Sequence, residues 1–296
     1  MDRSGIKRNN IRNALLVIAA ACIIGFIVFL VLTKAASSGT GDVLTVTNLK
    51  VGKADSAVLL YKDHAGIIDV GTEEAYPVID SFLKNSHVEK IDYMILTHYD
   101  QDHIGSAVSL IDDYDIEKIY LPDYVSEKRH YQELMDRVKT LENVTFVNTT
   151  VSEHLDGLTL DIIPASDPEK LTEDTNDYDN NMSLLCMVSL GSKKLFFTGD
   201  IEKDRIAGIL DSSLNIRADW IKLPHHGSHE KKMKKFLKKV SPRYSVISTS
   251  SEEPPDEELL TLLTDLKIEN YDTINDNVVT ECDGRSIKVT GSSSTD

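Results

Sequence analysis

The stretch "YMILTHYDQDHIGS", residues 93–106, decides how the rest of the chain is read. It opens on an apolar run of strand length and reaches a small residue at Gly105. Between the two stand four side chains able to bind a metal: His98, Asp100, Asp102 and His103. His98 and Asp100 are two residues apart, so on an extended segment they face the same side. Asp102 and His103 are adjacent, at the start of a helix expected near Ser106. Neighbouring residues point in different directions, so one pair can serve one cation and the second pair another. Imidazole with carboxylate suits Zn²⁺, and also Mn²⁺ or Fe²⁺. The bland alternative is an exposed acidic loop with incidental histidines. Four ligand types directly behind a buried strand argue against it.

Two further strand ends carry the same chemistry. "LFFTGD", residues 195–200, ends an apolar run on Asp200, with a glycine before it. "DWIKLPHHGSHE", residues 219–230, ends another on His225 and His226, followed by Gly227. A turn aspartate and a solvated pair of histidines are the ordinary readings of each alone. Three strand ends delivering His or Asp to one sheet edge is the pattern of a loop-built metal site.

Around these motifs the chain reads as one domain with an apolar leader. Residues 14–33, "ALLVIAAACIIGFIVFLVLT", hold no charge and would make roughly 30 Å of helix, the thickness of a bilayer core. The run exceeds the ~7–15 residues of a signal-peptide core, so an uncleaved anchor is expected. Arg3, Lys7, Arg8 and Arg12 precede it and Lys34 alone follows closely, which places residues 1–13 in the cytoplasm and the rest outside. Residues 34–42 read as a flexible linker, residues 43–290 as the folded domain, and residues 291–296 as a disordered tail.

Net charge is −16, and the first 41 residues contribute five basic side chains against one acidic, so the remainder carries −20. Such a domain repels polyanions at long range, which disfavours a DNA-coating role. Three cysteines make no disulfide framework, although Cys186 and Cys282 are free to pair.

Apolar runs of strand length recur at residues 43–46, 57–60, 67–70, 94–96, 119–121, 184–190, 195–197, 221–223 and 244–247. Helical patterns fall at 75–84, 106–112, 126–141, 202–212, 229–240 and 256–266. A hairpin is expected to turn at Gly191-Ser192. Strand pairs first and mixed helices later predict an α/β chain with two sheets sandwiched between helices. The six lysines of residues 229–239 leave two readings open, a cationic rim for phosphate or the solvated face of an amphipathic helix. Met233, Phe236, Leu237 and Val240 at helical spacing favour the second. His64, His87, His130 and His154 read as surface residues, and Trp220 as core.

These motifs together resemble the metallo-β-lactamase-fold hydrolases, and more narrowly the hydrolase domain of ComEC-type competence proteins. The family loop is H-x-[HD]-x-D-H, and the narrower group uses Asp where Asp100 stands. "VGKADSAVLL" (51–60) resembles the group's opening strand pair and puts Asp55 near the site. "IIDVG" (67–71) matches its next strand, and "NNMSLLCMVSL" (180–190) its Asn-x-x-Ser segment, with Asn181 and Ser183. "FFTGD" matches a bridging aspartate, "LPHHGS", ending on Ser228, is the group's tag, and residues 273–290 resemble its terminal strands. The resemblance implies an αββα sandwich and a divalent metal centre of two ions, Zn²⁺ or Mn²⁺. His98, Asp100 and one of His225 and His226 would hold the first ion, and Asp102, His103 and Asp200 the second. Asp102 and Asp200 would be the catalytic carboxylates, with Asp55, Asn181, Ser183 and Ser228 in support. Asp100 in place of a histidine adds a hard oxygen and tilts the preference towards Mn²⁺.

There are departures from the pattern. The group often carries a His-Pro pair, but here "STSSEEPPDEELL" (248–260) puts Pro254 at the histidine, with Glu252 or Glu253 as substitutes. "IGS" replaces a double glycine, and a single expected span leaves DNA transport unimplied. The expected activity is a membrane-anchored, extracytoplasmic phosphodiesterase or nuclease-like hydrolysis, with the acidic domain favouring small or surface-bound substrates. Ester, lactone or amide hydrolysis on the same centre, or a degenerate binding module, are the alternatives.

Overall fold

A computed structural model of the chain describes residues 42–165 and 178–293. The expected span at 14–33, and the cytoplasmic segment before it, lie outside the described residues. Among the described residues no helix is long and apolar enough to cross a membrane.

The strands of the first half are β1 (Leu44–Asn48), β2 (Ser56–Tyr61), β3 (His64–Val70), β4 (Lys90–Ile91), β5 (Tyr93–Ile95), β6 (Asp115–Ile116), β7 (Ile119–Pro122), β8 (Val144–Val147), β9 (Val151–Leu155) and β10 (Leu158–Ile163). Those of the second are β11 (Leu185–Leu190), β12 (Lys193–Phe197), β13 (Trp220–Lys222), β14 (Tyr244–Ile247), β15 (Glu269–Asp272), β16 (Val278–Cys282), β17 (Ile287–Thr290) and β18 (Ser292–Ser293). The helices are α1 (Tyr76–Asn85), α2 (Gln101–Ile104), α3 (Ala107–Asp113), α4 (Arg129–Val138), α5 (Tyr178–Asn181), α6 (Lys203–Asp211), α7 (Met233–Val240) and α8 (Glu257–Leu266). One sheet runs β17-β16-β1-β2-β3-β5-β7-β8 and the other β18-β15-β14-β13-β12-β11-β10-β9, with β4 and β6 as a small separate pair.

Strand alternation builds four layers. In β2, Ala57, Leu59 and Tyr61 enter the core between the sheets, while Val58 faces the helices. In β12, Leu195 and Phe197 face the other sheet, while Phe196 faces α6 and α7. Period-two side-chain direction sorts each strand's apolar residues into an inner and an outer set. α1 to α4 cover the first sheet and α6 to α8 the second. The result is the expected αββα sandwich.

The site lies where parallel strands end. β3, β5, β7 and β8 are mutually parallel, as are β12, β13, β14 and β15. Loops leaving these carboxyl ends form the crevice where open α/β sheets bind ligands.

Several expectations shift in detail. The hairpin β11–β12 turns at Gly191-Ser192 as read. The outer strands β8 and β9 carry little apolar signal because much of each is exposed, and β10, which forms a hairpin with β9, buries only alternate residues. α7 starts at Met233, later than residue 229, because Lys232 has a positive φ of 69° that no helix interior tolerates. Its apolar residues Met233, Phe236, Leu237 and Val240 are buried, as an amphipathic helix requires. Cys186 and Cys282 are both buried free thiols, so no disulfide joins them. Trp220 is wholly buried between the sheets. At the tail, Ser292–Ser293 pair with β15, where disorder was expected, because backbone pairing is open to any polar sequence beside a free strand edge. Residues 294–296 lie outside the described set.

Candidate metal centre

The loop after β5 delivers its ligands by strand geometry. Tyr99 turns into the helix-side core and donates to the Pro122 carbonyl at 2.6 Å. His98 and Asp100, on either side of it, face away from that core. α2 then starts at once, with the His103 amide donating to the Asp100 carbonyl at 3.0 Å. That turn brings Asp102 and His103 into the site. Gly105 lets α2 lie against the loop before α1, since a Cβ there would sit 2.5 Å from the Glu73 amide nitrogen.

Four ligand types converge. One atom each from Asp102, His103, Asp200 and His226 lies within 4.8 Å of the others. Asp200 Oδ2 is 3.2 Å from His103 Nε2 and 3.2 Å from His226 Nε2, and Asp102 Oδ2 is 3.1 Å from His226 Nε2. Asp200 is held in turn by its own amide, which donates to Ser183 Oγ at 3.1 Å.

The histidine tautomers follow from what lies behind each ring. Asp69 accepts from the Thr97 amide at 2.7 Å and from Thr97 Oγ1 at 2.8 Å. Thr97 Oγ1 has thus spent its proton and accepts from His98 Nδ1 at 3.1 Å. His98 Nε2 therefore presents a lone pair, and it is buried with no hydrogen-bond partner. His103 Nδ1 donates to Asp69 Oδ2 at 2.9 Å, and His226 Nδ1 to the Ser248 carbonyl at 2.9 Å, so both turn Nε2 to the centre. Backing of this kind fixes the ring orientation of metal-binding histidines. His103 Nε2 is also buried without an aligned hydrogen bond, although Asp200 is near. Lone pairs and carboxylates aimed at a common point fit a borderline divalent cation such as Zn²⁺, Mn²⁺ or Fe²⁺.

The buried carboxylates favour positive charge at this point, carried by the rings of His103 and His226 or by a cation that would replace their Nε2 protons. Burial, then the neighbouring His103, push His98 down to about 3, so it is neutral. For His226, burial works against the charged form, but Asp200 and Asp102 outweigh it and raise the ring to about 10. Burial works against His103 as well, and Asp200 and Asp69 raise it well above the ordinary value. Burial opposes ionisation of Asp200 too, yet His103 and His226 hold it well below the carboxylate range.

The two neighbouring histidines part company. His225 and His226 have φ of 47° and 51°, a left-handed turn that sends adjacent side chains apart. His226 goes into the centre. His225 does not: its Nδ1 lies 3.2 Å from Glu202 Oε1, in a separate group with Glu230. The sequence placed one of the pair with His98 and Asp100; the turn brings His226 together with Asp102, His103 and Asp200. Asp100 also stands apart from that set, 3.9 Å from His98 Nε2 and engaged by Lys128.

Other expected residues divide the same way. Asp55 reaches the centre's edge, 3.8 Å from His103 Nδ1 and 3.9 Å from His226 Nδ1. Asn181 instead accepts from the amides of Glu202 and Arg205 at 3.0 and 3.1 Å, fixing the start of α6. Ser228 is half-buried, with its amide on the His225 carbonyl. Glu252 and Glu253 are exposed, and Glu253 pairs with Lys53 at 3.2 Å, so neither replaces a ligand near Pro254. His64 and His130 are half-buried beside acids, at 3.2 Å from Asp92 and 3.4 Å from Glu73, where plain surface residues were expected.

Sequence reasoning missed Asp69 and Lys222. Lys222 is buried at the end of β13, bonded to Asp55 and 3.8 Å from Asp200 Oδ1. Burial disfavours its charge, but Asp55 and Asp200 more than offset that and raise its pKa. The available signal was a charged residue inside each apolar strand, "IIDVG" and "WIKLP".

A family model described as the Metallo-beta-lactamase superfamily matches residues 50–251. ComE operon protein 3 of Bacillus subtilis is 27% identical over 172 residues, 58% of this chain and 21% of that one. Competence protein ComA of Neisseria gonorrhoeae is 26% identical over 212 residues, 69% of this chain and 27% of that one. The chain thus spans about a quarter of the curated relatives it matches. Among solved structures, the metallo-beta-lactamase fold protein YhfI from Bacillus subtilis aligns with a TM-score of 0.55 at 13% identity, covering 81% of this chain and 100% of that one. A CmlA beta-hydroxylase aligns at 0.52 with 12% identity, over 80% of this chain and 53% of that one. At these identities the two structures share the fold alone.

Proposed function

The chain belongs to the metallo-beta-lactamase superfamily, and we propose that it is a divalent-metal-dependent hydrolase of small or surface-bound phosphodiesters, held to the outer face of the cell membrane by residues 14–33. The single observation that carries the hydrolase reading is the convergence of Asp102, His103, Asp200 and His226 within 4.8 Å at the carboxyl ends of two parallel strand sets. Those four would hold a cation, with His98 and Asp100 beside them. When bound, a divalent ion there supplies Lewis acidity and lowers the pKa of a water from 15.7 to about 7.

The chain's own residues do the rest. Asp102 is the outermost of the four, its side chain 32% exposed against 3% for Asp200. Burial works against its charge, but the His226 hydrogen bond and then His103 keep its carboxyl well below the usual range. It is therefore an ionised acceptor that can orient a water towards the substrate. Asp69 and the Ser248 carbonyl hold His103 and His226 in the tautomers that face the centre. Lys222 offsets the buried charge of Asp55 and Asp200. The phosphodiester preference rests on hard oxygen ligands in the set and on the likeness to competence proteins.

The test is a panel assay on the full chain with Mn²⁺ or Zn²⁺: a chromogenic phosphodiester, single-stranded DNA and a β-lactam. Phosphodiester turnover that Asp102→Asn reduces to background is the expected result. Turnover of the lactam alone would move the chain to amide hydrolysis, and bound metal without any turnover would make it a binding module. Retention in the membrane after alkaline extraction, with the domain open to external protease, tests the anchor.

A further inference from the structure

One carboxylate oxygen at the centre has two claimants. Asp100 Oδ1 lies 3.9 Å from His98 Nε2, whose lone pair is buried and unpartnered. An ion held by His98 and Asp100 would need that oxygen. The same Oδ1 accepts a hydrogen bond from Lys128 Nζ. Lys128, just before α4, also reaches Asp179 at 2.9 Å, and Asp179 accepts from Ser126 Oγ at 3.0 Å. The ammonium is thus seated by two carboxylates, one of which is itself fixed. The other position differs: among the described residues no lysine pairs with Asp102, and Lys222 bonds to Asp55, standing 3.8 Å from Asp200. Among the described residues, no third His, Cys or acidic side chain joins His98 and Asp100 in a set as tight as the other four.

We propose that Lys128 controls metal occupancy: the chain binds one divalent ion firmly at Asp102, His103, Asp200 and His226, and Lys128 keeps a second from the His98–Asp100 position by occupying Asp100 Oδ1. A lysine ammonium and a divalent cation compete for the same lone pairs, because both need the ionised carboxylate. The ammonium is intramolecular and already desolvated in part, so the ion must displace it and leave it beside Asp179. This rests on the reading of the site as a metal centre, and it deepens that reading from a two-ion to a one-ion resting state.

The experiment is metal counting, independent of turnover. The full chain is stripped with chelator and titrated with Mn²⁺, following heat and the spin signal of free Mn²⁺. The wild type is expected to bind one ion tightly. Lys128→Met should strengthen a second by about tenfold or more while leaving the first unchanged. Lys128→Arg should behave as the wild type, since the charge stays. The Lys128 side chain is 43% exposed, so its replacement spares the core, and Lys128→Gln serves as a second charge-free variant. Two tight ions in the wild type would overturn the proposal, as would a second ion that neither Met nor Gln strengthens. Absence of any bound ion in all forms would overturn the metal-centre reading as well, which separates the two failures.

Discussion

Asp69 shows how one side chain can set the chemistry of several. Its two oxygens take the Thr97 amide, the Thr97 hydroxyl and His103 Nδ1, and Thr97 passes the effect to His98. Its φ of 56° is in the left-handed region, where asparagine is tolerated better than most residues. Asp69→Asn therefore keeps shape and backbone while removing the charge. Metal affinity should fall by about ten- to a hundredfold, the usual cost of losing a backing carboxylate. A competition titration against a chromophoric chelator measures it, with circular dichroism showing an unchanged fold; affinity within twofold of wild type would contradict the role. The four ligand types in residues 98–103 were legible because their types and spacing are themselves the chemistry. Asp69 and Lys222 were not, because a lone charge in a strand looks alike whether it backs a ligand or faces water. Nor could the sequence separate His225 from His226, since two consecutive left-handed residues decide it and neither residue type foretells that.

At the scale of elements, strand alternation made the sandwich readable, and its edges were the weak point. β9 carries few apolar residues, yet it is tied across the sheets. Glu153 on β9 accepts from Lys118 Nζ at 2.7 Å and from the Tyr120 hydroxyl of β7. Such a link depends on two sheets meeting, which no local pattern encodes. Burial pushes the Glu153 carboxyl up, but Lys118 and Tyr120 more than offset it and hold it below its ordinary value. Its folded pKa is thus depressed, so its contribution to stability is present above the unfolded value and is lost as pH falls through the folded one. Glu153→Gln should lower stability by about 1 kcal/mol at neutral pH, a modest figure because Lys118 is well exposed. The melting temperature should drop by about 2–4 °C, and the gap to wild type should close once pH falls below the usual glutamate range. Melting curves at neutral and acid pH check this; a gap that stays constant would show that the ion pair carries none of the effect.

For the whole molecule, charge is the property that sorts substrates. Residues beyond the first 41 carry −20, so an incoming polyanion meets repulsion from most directions. The lysine-rich α7 does little to change that. Lys239 donates to the carbonyls of Ile209 and Ser212 at 2.6 and 3.1 Å, which commits its head to α6 and the loop after it. Lys234, Lys235 and Lys238 are exposed, with acidic surface elsewhere on the domain. Salt should therefore act in the sense opposite to that seen in proteins with a basic nucleic-acid track, whose affinity falls as salt rises because binding releases counterions. Between about 10 mM and 150 mM salt the Debye length shrinks from about 30 Å to about 8 Å, which screens the net field but spares contacts at the centre. Binding of single-stranded DNA should strengthen or stay level across that range, while a small chromogenic phosphodiester should respond weakly. Fluorescence anisotropy with a labelled oligonucleotide gives the first and initial rates give the second. Affinity for DNA that falls steeply with salt would mean that the exposed lysines of α7 act as a local cationic track that the net charge conceals, and would move the favoured substrate from small phosphodiesters to nucleic acid.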